Sequence, residues 1–352
     1  MMSMISQYFD LITYSVAAGI ICNWGIIKTV GWHGKWTADG ATGIQKVHQG
    51  LVPRIGGLSI LLVLTASAKL SPYGITLGLF LLLSLPAFLS GFIEDITKVI
   101  RPIYRLIACL FVGLLAWMND IAIKSVDIWF IDIILAYPII SLLVTMLVVA
   151  ALANAINMID GLNGLSGGYV VVASTVLAII AYLNNEPALS FTAIALASSI
   201  LGYLVFNWPF GKIFLGDGGA YMLGAILALI AISLAQNNDA VTQTLTLVVL
   251  SYPAWEISLS MASRLFGNSS MTEADHNHLH SRIYQYLSAL GWRGSSVSIN
   301  SYASLILVSI IAATMIVPLV LITGSNGIPG SNLMIIFAQF ILYSLCYKFF
   351  GK

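Results

Sequence analysis

The sequence predicts an all-α integral membrane protein, a bundle of about eleven transmembrane helices. Three observations carry that prediction. Of 352 residues, 59% are hydrophobic and 8% charged, with a mean hydropathy of +0.94, whereas soluble domains carry about 25% charged residues. Apolar runs near the length needed to span a bilayer, about 17–25 residues, recur along the whole chain. Basic residues collect on one side of the spans those runs define. The composition excludes a soluble fold and a disordered chain. With 15 Lys and Arg against 14 Asp and Glu, no basic face is left for nucleic acid. Repeated spanning points to a single domain over residues 1–352 rather than two soluble ones.

In chain order the predicted spans are 9–28, 55–71, 74–93, 104–119, 131–153, 165–183, 188–206, 218–235, 241–263, 298–323 and 332–350. Residues 73–93 and 133–153 contain no charge. The second span is short, opens on Gly56 and Gly57, and carries Lys69 near its end. Cys22, Cys109 and Cys346 stand singly in apolar runs and show no metal or disulfide spacing. With eleven spans, 13 Lys and Arg fall on the side of the C-terminus, and only Lys69 and Lys124 fall on the other. The positive-inside rule then places the N-terminus outside and the C-terminus in the cytoplasm. The first span has no basic flank before it and Lys28 after it, so it reads as a helix rather than a cleaved signal. Trp129 and Phe130 suit an outer interfacial segment over 120–132.

Five polar, glycine-containing stretches break the apolar sequence, each at the cytoplasmic end of an odd-numbered span. Loops on one face can converge on one site. KVHQGLVPRIGG (46–57) brings Lys46 and glycines whose N–H groups suit an anion; a flexible, basic inner loop has the same composition. GFIEDITK (91–98) brings Glu94, Asp95 and Lys98, followed by Arg101 and Arg105. Adjacent helical residues point about 100° apart, so one acid can face a site while the other meets a basic neighbour; a solvated helix end is the plainer alternative.

NAINMIDGLNGLSGG (154–168) places Asn154, Asn157 and Asp160 on one helical face, with Asn163 in the glycine-rich break that follows. A structural cap needs one such residue, not four. Their oxygens suit a hard cation and their amides a base or phosphate. GKIFLGDGGA (211–220) sets Asp217 among glycines, as in a metal or phosphate loop or an ordinary N-cap. DHNHLHSR (275–282) clusters His278, His280 and Arg282 in the longest cytoplasmic connection, 264–297. No Cys or HExxH pattern accompanies it, so magnesium or manganese fits better than zinc, and these side chains can donate to a diphosphate. Acids, amides and cationic donors at a membrane surface are what phosphoryl transfer requires.

This ordered set resembles the polyprenyl-phosphate N-acetylhexosamine-1-phosphate transferase superfamily, glycosyltransferase family 4. That superfamily includes the undecaprenyl-phosphate GlcNAc-1-phosphate transferases and the phospho-MurNAc-pentapeptide translocase. The resemblance runs from Lys46 to Arg282. It implies a catalytic bundle in the bacterial inner membrane, its active-site loops facing the cytoplasm. It implies Asp217 as the principal Mg2+ ligand with Asn157 beside it, Mn2+ being the alternative ion. Asn163 and its glycine loop would hold uridine, with Asn154 nearby. Asp95 becomes a candidate base on the lipid phosphate, and Asp160 stands between metal shell and uridine. Lys46, Lys98, His278 and His280 would contact phosphates, with Glu94 and Arg282 at the substrate.

The implied partners are a UDP-HexNAc, undecaprenyl phosphate and the lipid bilayer, with a homodimer left open and no nucleic acid. The reaction would release UMP and start a lipid-linked glycan such as O-antigen. Three departures stand out: Glu94 where the family has Asp, Ala220 where it has Ser, and Ser281 directly after His280. The last favours a simple UDP-HexNAc over the pentapeptide substrate. Glu256, after Pro253, occupies a position where relatives often carry Asp. A secondary transporter is the rival class. It would put ionisable groups at mid-membrane and show repeats, whereas here, Glu256 apart, the acids crowd at helix ends and no repeat is evident.

Overall fold

The computed structural model describes residues 2–39, 51–238, 240–266, 278–290, 295–323 and 331–351. Its first part comprises α1 (Met2–Lys28), α2 (Val30–Thr37), α3 (Gly56–Ser67), α4 (Gly74–Thr97) and α5 (Pro102–Met118). The middle comprises α6 (Trp129–Leu135), α7 (Pro138–Ile159), α8 (Leu165–Leu183), α9 (Pro187–Asn207) and α10 (Gly216–Asn237). The chain closes with α11 (Gln243–Val249), α12 (Ser251–Phe266), α13 (Leu279–Ala289), α14 (Ser296–Thr323) and α15 (Ser331–Phe349). One short antiparallel pair, β1 (Ala38–Asp39) and β2 (Val52–Pro53), sets Ala38 opposite Pro53.

Among the described residues eight helices are long and apolar enough to cross a membrane, and α3 and α5 are apolar but shorter. The protein is a polytopic helical membrane protein. Two of the eleven expected spans are divided otherwise than the apolar runs suggested, each at a proline. The run over 131–153 breaks before Pro138, where Tyr137 is extended (φ −78, ψ 120), as the residue before proline prefers. As a result α7 runs on to Ile159 and carries Asn154 and Asn157 inside it.

The run over 241–263 splits at Leu250 into α11 and α12. Pro253 has no N–H for the Val249 carbonyl four residues back, and its ring crowds that carbonyl. The carbonyls at the break find side chains instead: Tyr169 donates to Val249 O (3.4 Å) and Gln339 to Val248 O (3.2 Å).

The core centres on α10, 94% of whose membrane-length window is buried. A helix with no charge beyond Asp217 can afford this only against equally apolar neighbours. It packs chiefly against α4, α7 and α3. The α4–α10 contact is backbone on backbone: a Cβ on Gly91 would lie 2.4 Å from the Gly218 nitrogen. Gly91→Val should force the two helices apart and cost about 1–3 kcal/mol or more, as overpacking does. Thermal denaturation in detergent tests this, and an unchanged melting temperature would show that the contact is looser than drawn.

Candidate active site

Three elements bring charge to the first turn of α10. Gly216 takes φ +78, and a Cβ there would lie 2.0 Å from the Arg54 carbonyl. Asp217 follows, its side chain 14% exposed. Arg54 Nη2 lies 3.5 Å from its Oδ1, and Arg105 Nη1 donates to its Oδ2. Arg54 leaves β2 with its backbone N–H bonded to Thr37 O (2.7 Å), and Phe214 N donates to Pro53 O (2.8 Å). The small sheet thus ties the arginine to the approach to α10. Arg105 comes from the first turn of α5.

Asp95, in the last turn of α4, is 2% exposed. Its Oδ1 accepts from the Asp217 N–H and its Oδ2 from the Gly218 N–H, both at 3.1 Å. Arg54 Nη2 lies 3.6 Å from Oδ1. Glu94 points elsewhere: its Oε2 accepts from Ile100 N (2.8 Å), bracing the turn after α4 rather than a ligand position. Lys98 ends α4 in the left-handed region (φ 58), with its side chain exposed.

At the end of α7, Asn154 Nδ2 donates back to Ala150 O (2.8 Å) on its own helix, while Asn157 Nδ2 donates to the Tyr221 hydroxyl of α10 (3.2 Å). Asp160 caps α7 and accepts from Ser166 Oγ. The Asn163 backbone is gripped from both sides, its N–H by Asn300 Oδ1 (2.7 Å) and its carbonyl by Ser304 Oγ (2.5 Å). Its buried Nδ2 has no protein partner among the described residues. Gly164 N donates to Asn207 Oδ1 (2.7 Å).

The histidines form a layer against this loop. The His278 and His280 rings stack with centroids 5.3 Å apart. Glu256, 1% exposed, holds the first: its Oε2 lies 3.2 Å from His278 Nδ1, while its Oε1 accepts from the Tyr252 hydroxyl (2.9 Å) and lies 4.0 Å from His280 Nδ1. A Cβ on Gly161 would sit 2.8 Å from His280 Nε2, so the glycine admits the ring. Burial lowers the His280 pKa to about 4, against the pull of Glu256, with His278 adding to the fall. His280 is therefore neutral at ordinary pH.

Several expectations change. The Gly56 and Gly57 N–H groups, expected to face an anion, donate to Phe214 O (2.9 Å) and Leu215 O (2.8 Å). Arg282, expected at the substrate, turns to α15, its guanidinium 3.8 Å from the centre of the Tyr347 ring and donating to Tyr347 O. Its planar, weakly hydrated head favours such stacking. Lys46 lies outside the described residues. Arg54 and Arg105, weighed in the sequence mainly as topology signals, reach the Asp217 carboxylate. Their places inside and just after two of the motifs were the available signal.

The donors suit one kind of metal. Among the described residues no group of three or more His, Cys, Asp or Glu could hold an ion by itself. Mg2+, however, keeps waters and usually binds through one or two carboxylates together with substrate phosphates. Asp217 with Asn157 fits that pattern, and the buried Arg105 Nε and Asn163 Nδ2, without a partner among the described residues, are donors that a phosphate or a base could satisfy.

The sequence pattern of glycosyl transferase family 4 matches residues 77–235, from α4 to the end of α10. Over that span the chain is similar to glycosyl transferase family 4. The match covers Asp95, Asp160 and Asp217 but ends before Glu256 and the histidines. The chain is 25% identical over 254 residues to a probable undecaprenyl-phosphate N-acetylglucosaminyl 1-phosphate transferase of Bacillus subtilis (strain 168), covering 69% of this chain and 68% of the relative. It is 28% identical over 236 residues to the undecaprenyl-phosphate alpha-N-acetylglucosaminyl 1-phosphate transferase of Thermotoga maritima, covering 67% and 69%. A phospho-N-acetylmuramoyl-pentapeptide-transferase of Halalkalibacterium halodurans is 32% identical over 205 residues, covering 53% and 62%.

Asp160 keeps some surface yet is densely surrounded. Burial pushes its carboxyl up to about 7, against the Ser166 bond and the Arg54 charge, with Asp217 and Asp95 adding to the rise. A raised carboxyl pKa favours folding at low pH, and that contribution is lost as pH rises through about 7. In infrared titration of the protein a protonated-carboxyl band should disappear between about pH 6 and 8, and Asp160→Asn should lack that band. A band that titrates identically in the variant would assign it to another acid.

Proposed function

We propose that this protein transfers a HexNAc-1-phosphate, GlcNAc-1-phosphate or that of a related N-acetylated sugar, from a UDP-sugar to undecaprenyl phosphate. UMP leaves, and the lipid-linked sugar begins a cell-surface glycan such as O-antigen. The observation that carries the reading is the convergence of Arg54 and Arg105 on Asp217 at the start of α10, with Asn157 bonded to Tyr221 one turn further along the same helix. A diphosphate requires such a site, with cationic donors for its oxygens and a hard-ion ligand beside them.

In this reading Asp217 and Asn157 would hold Mg2+. The ion, when bound, supplies charge neutralisation on the diphosphate oxygens. Arg54 and Arg105 leave the carboxylate for the phosphates and keep them in line. Asn163, its buried amide nitrogen without a partner among the described residues, faces the uracil, and the neutral His280 and Glu256-held His278 line the phosphate side. An oxygen of the lipid phosphate attacks the sugar-bearing phosphorus, and the bond from that phosphorus to the bridging oxygen breaks, so the oxygen leaves on UMP. A phosphate monoester loses its second proton near pH 6, so the acceptor is already largely dianionic at neutral pH. Direct attack then needs no strong base.

The 13 to 2 division of Lys and Arg supports a cytoplasmic site, where UDP-sugars are found. Cysteines introduced at Ser281 and Asn237 should react with impermeant reagents from the cytoplasmic and outer sides respectively; the reverse pattern would overturn this orientation. Asp217→Asn should lower turnover by about a hundredfold or more, the loss expected with a metal-held charge. Near-normal Mg2+-dependent formation of the lipid-linked sugar from UDP-GlcNAc would remove Asp217 from the metal site. A panel of UDP-sugars in the same assay identifies the donor.

A further inference from the structure

We infer that Asp95 is a positioning residue for the transfer, a cap that fixes the first turn of α10 and with it Asp217, rather than the base that acts on the lipid phosphate. The inference rests on the function proposed above. Its ground is where the carboxylate's oxygens go. Oδ1 and Oδ2 each accept one backbone N–H, from Asp217 and Gly218, at 3.1 Å. The first N–H groups of a helix have no partner within the helix, and a carboxylate from another helix supplies two here. The side chain is 2% exposed, against 14% for Asp217. A base must present an oxygen to its substrate, and this one presents both to α10.

The surrounding chain is shaped for the same contact. Gly216, at φ +78, has no Cβ where one would come 2.6 Å from Asp95 Oδ2. One turn earlier on α4, Gly91 lies against the backbone of Asp217 and Gly218, where a Cβ would be 2.5 Å and 2.4 Å from their atoms. Asp217 is therefore held through its own backbone N–H. Its carboxylate is aimed at Arg54 and Arg105 by a residue that need not touch substrate. Arg54 lies within 3.6 Å of both acids and couples the cap to the carboxylate it positions.

The two roles differ in what asparagine can replace. Asparagine keeps one of the two acceptors, turns an NH2 donor toward the other backbone N–H, and has no basicity. A positioning role predicts that Asp95→Asn, with one acceptor left, loses less activity than Asp95→Ala, needs more Mg2+ for half-maximal rate than wild type, and keeps the shape of the rate–pH profile. Asp95→Ala, which removes both acceptors, should fall by about a hundredfold or more and need several times more Mg2+ for half-maximal rate. The assay measures initial rates with UDP-GlcNAc and undecaprenyl phosphate across Mg2+ concentration and pH, on variants matched for folded amount. Equal loss in Asn and Ala, with an unchanged Mg2+ requirement, would overturn the inference and restore Asp95 as the base. If Asp95→Ala does not fold, the Asn variant decides alone: loss with an unchanged Mg2+ requirement overturns the inference, and a raised Mg2+ requirement with an unchanged rate–pH profile supports it. An inactive wild type with every UDP-sugar would count against the proposed function and not against the cap.

Discussion

The first turn of α10 is where the fold and the chemistry meet, and one carboxylate holds it. Asp95 reaches from α4 to accept two α10 N–H groups, and glycines on both helices bring the backbones close enough for that reach. A helix end among apolar neighbours cannot leave its amides without partners, because each orphaned donor costs about 1–3 kcal/mol. A carboxylate buried without partners would cost more. Each group removes the other's penalty, so the pair is stable only together. The arrangement also fixes the direction of the next side chain, Asp217, and both arginines approach from that direction.

The remaining acids follow the same logic with different partners. Glu256, buried in α12, is satisfied by the Tyr252 hydroxyl and the His278 ring. Asp160 has a serine hydroxyl and a distant guanidinium, and its carboxyl is accordingly pushed up to about 7. Glu94 finds a backbone amide at the turn. The acidic residues look alike in sequence, yet they meet a helix terminus, a histidine layer, a hydroxyl and a loop. The partner distinguishes their roles more than the residue type does.

Much of the bundle was legible because the bilayer imposes a length and a hydropathy on each crossing helix. The runs that became α4, α8, α9, α10 and α14 stand out for that reason. The misjudged ends lie at Pro138 and Pro253, where local backbone sterics override an unbroken apolar run. The candidate site was legible as a set of polar interruptions at helix ends. What each would touch was not. The glycines near Gly57 and Gly218 resemble phosphate loops by composition, and they serve helix packing and capping because backbone carbonyls and Asp95 reach their amides first. Arg282 sits inside a polar motif, yet an aromatic ring on α15 stacks under its guanidinium.

The sequence by itself determined that this chain lives in a membrane, which segments are apolar enough to cross it, and that acids, amides, histidines and glycines recur at their ends. These properties are local, set by hydropathy, length and residue type. Only the tertiary structure decided that Asp95 would cap α10, that Arg54 and Arg105 would converge on Asp217, and that Glu256 would hold His278. Those pairs are separated by 122, 163, 112 and 22 residues in the chain. Which distant donor meets which acceptor depends on how closely helices approach, and that is fixed by packing across the whole bundle.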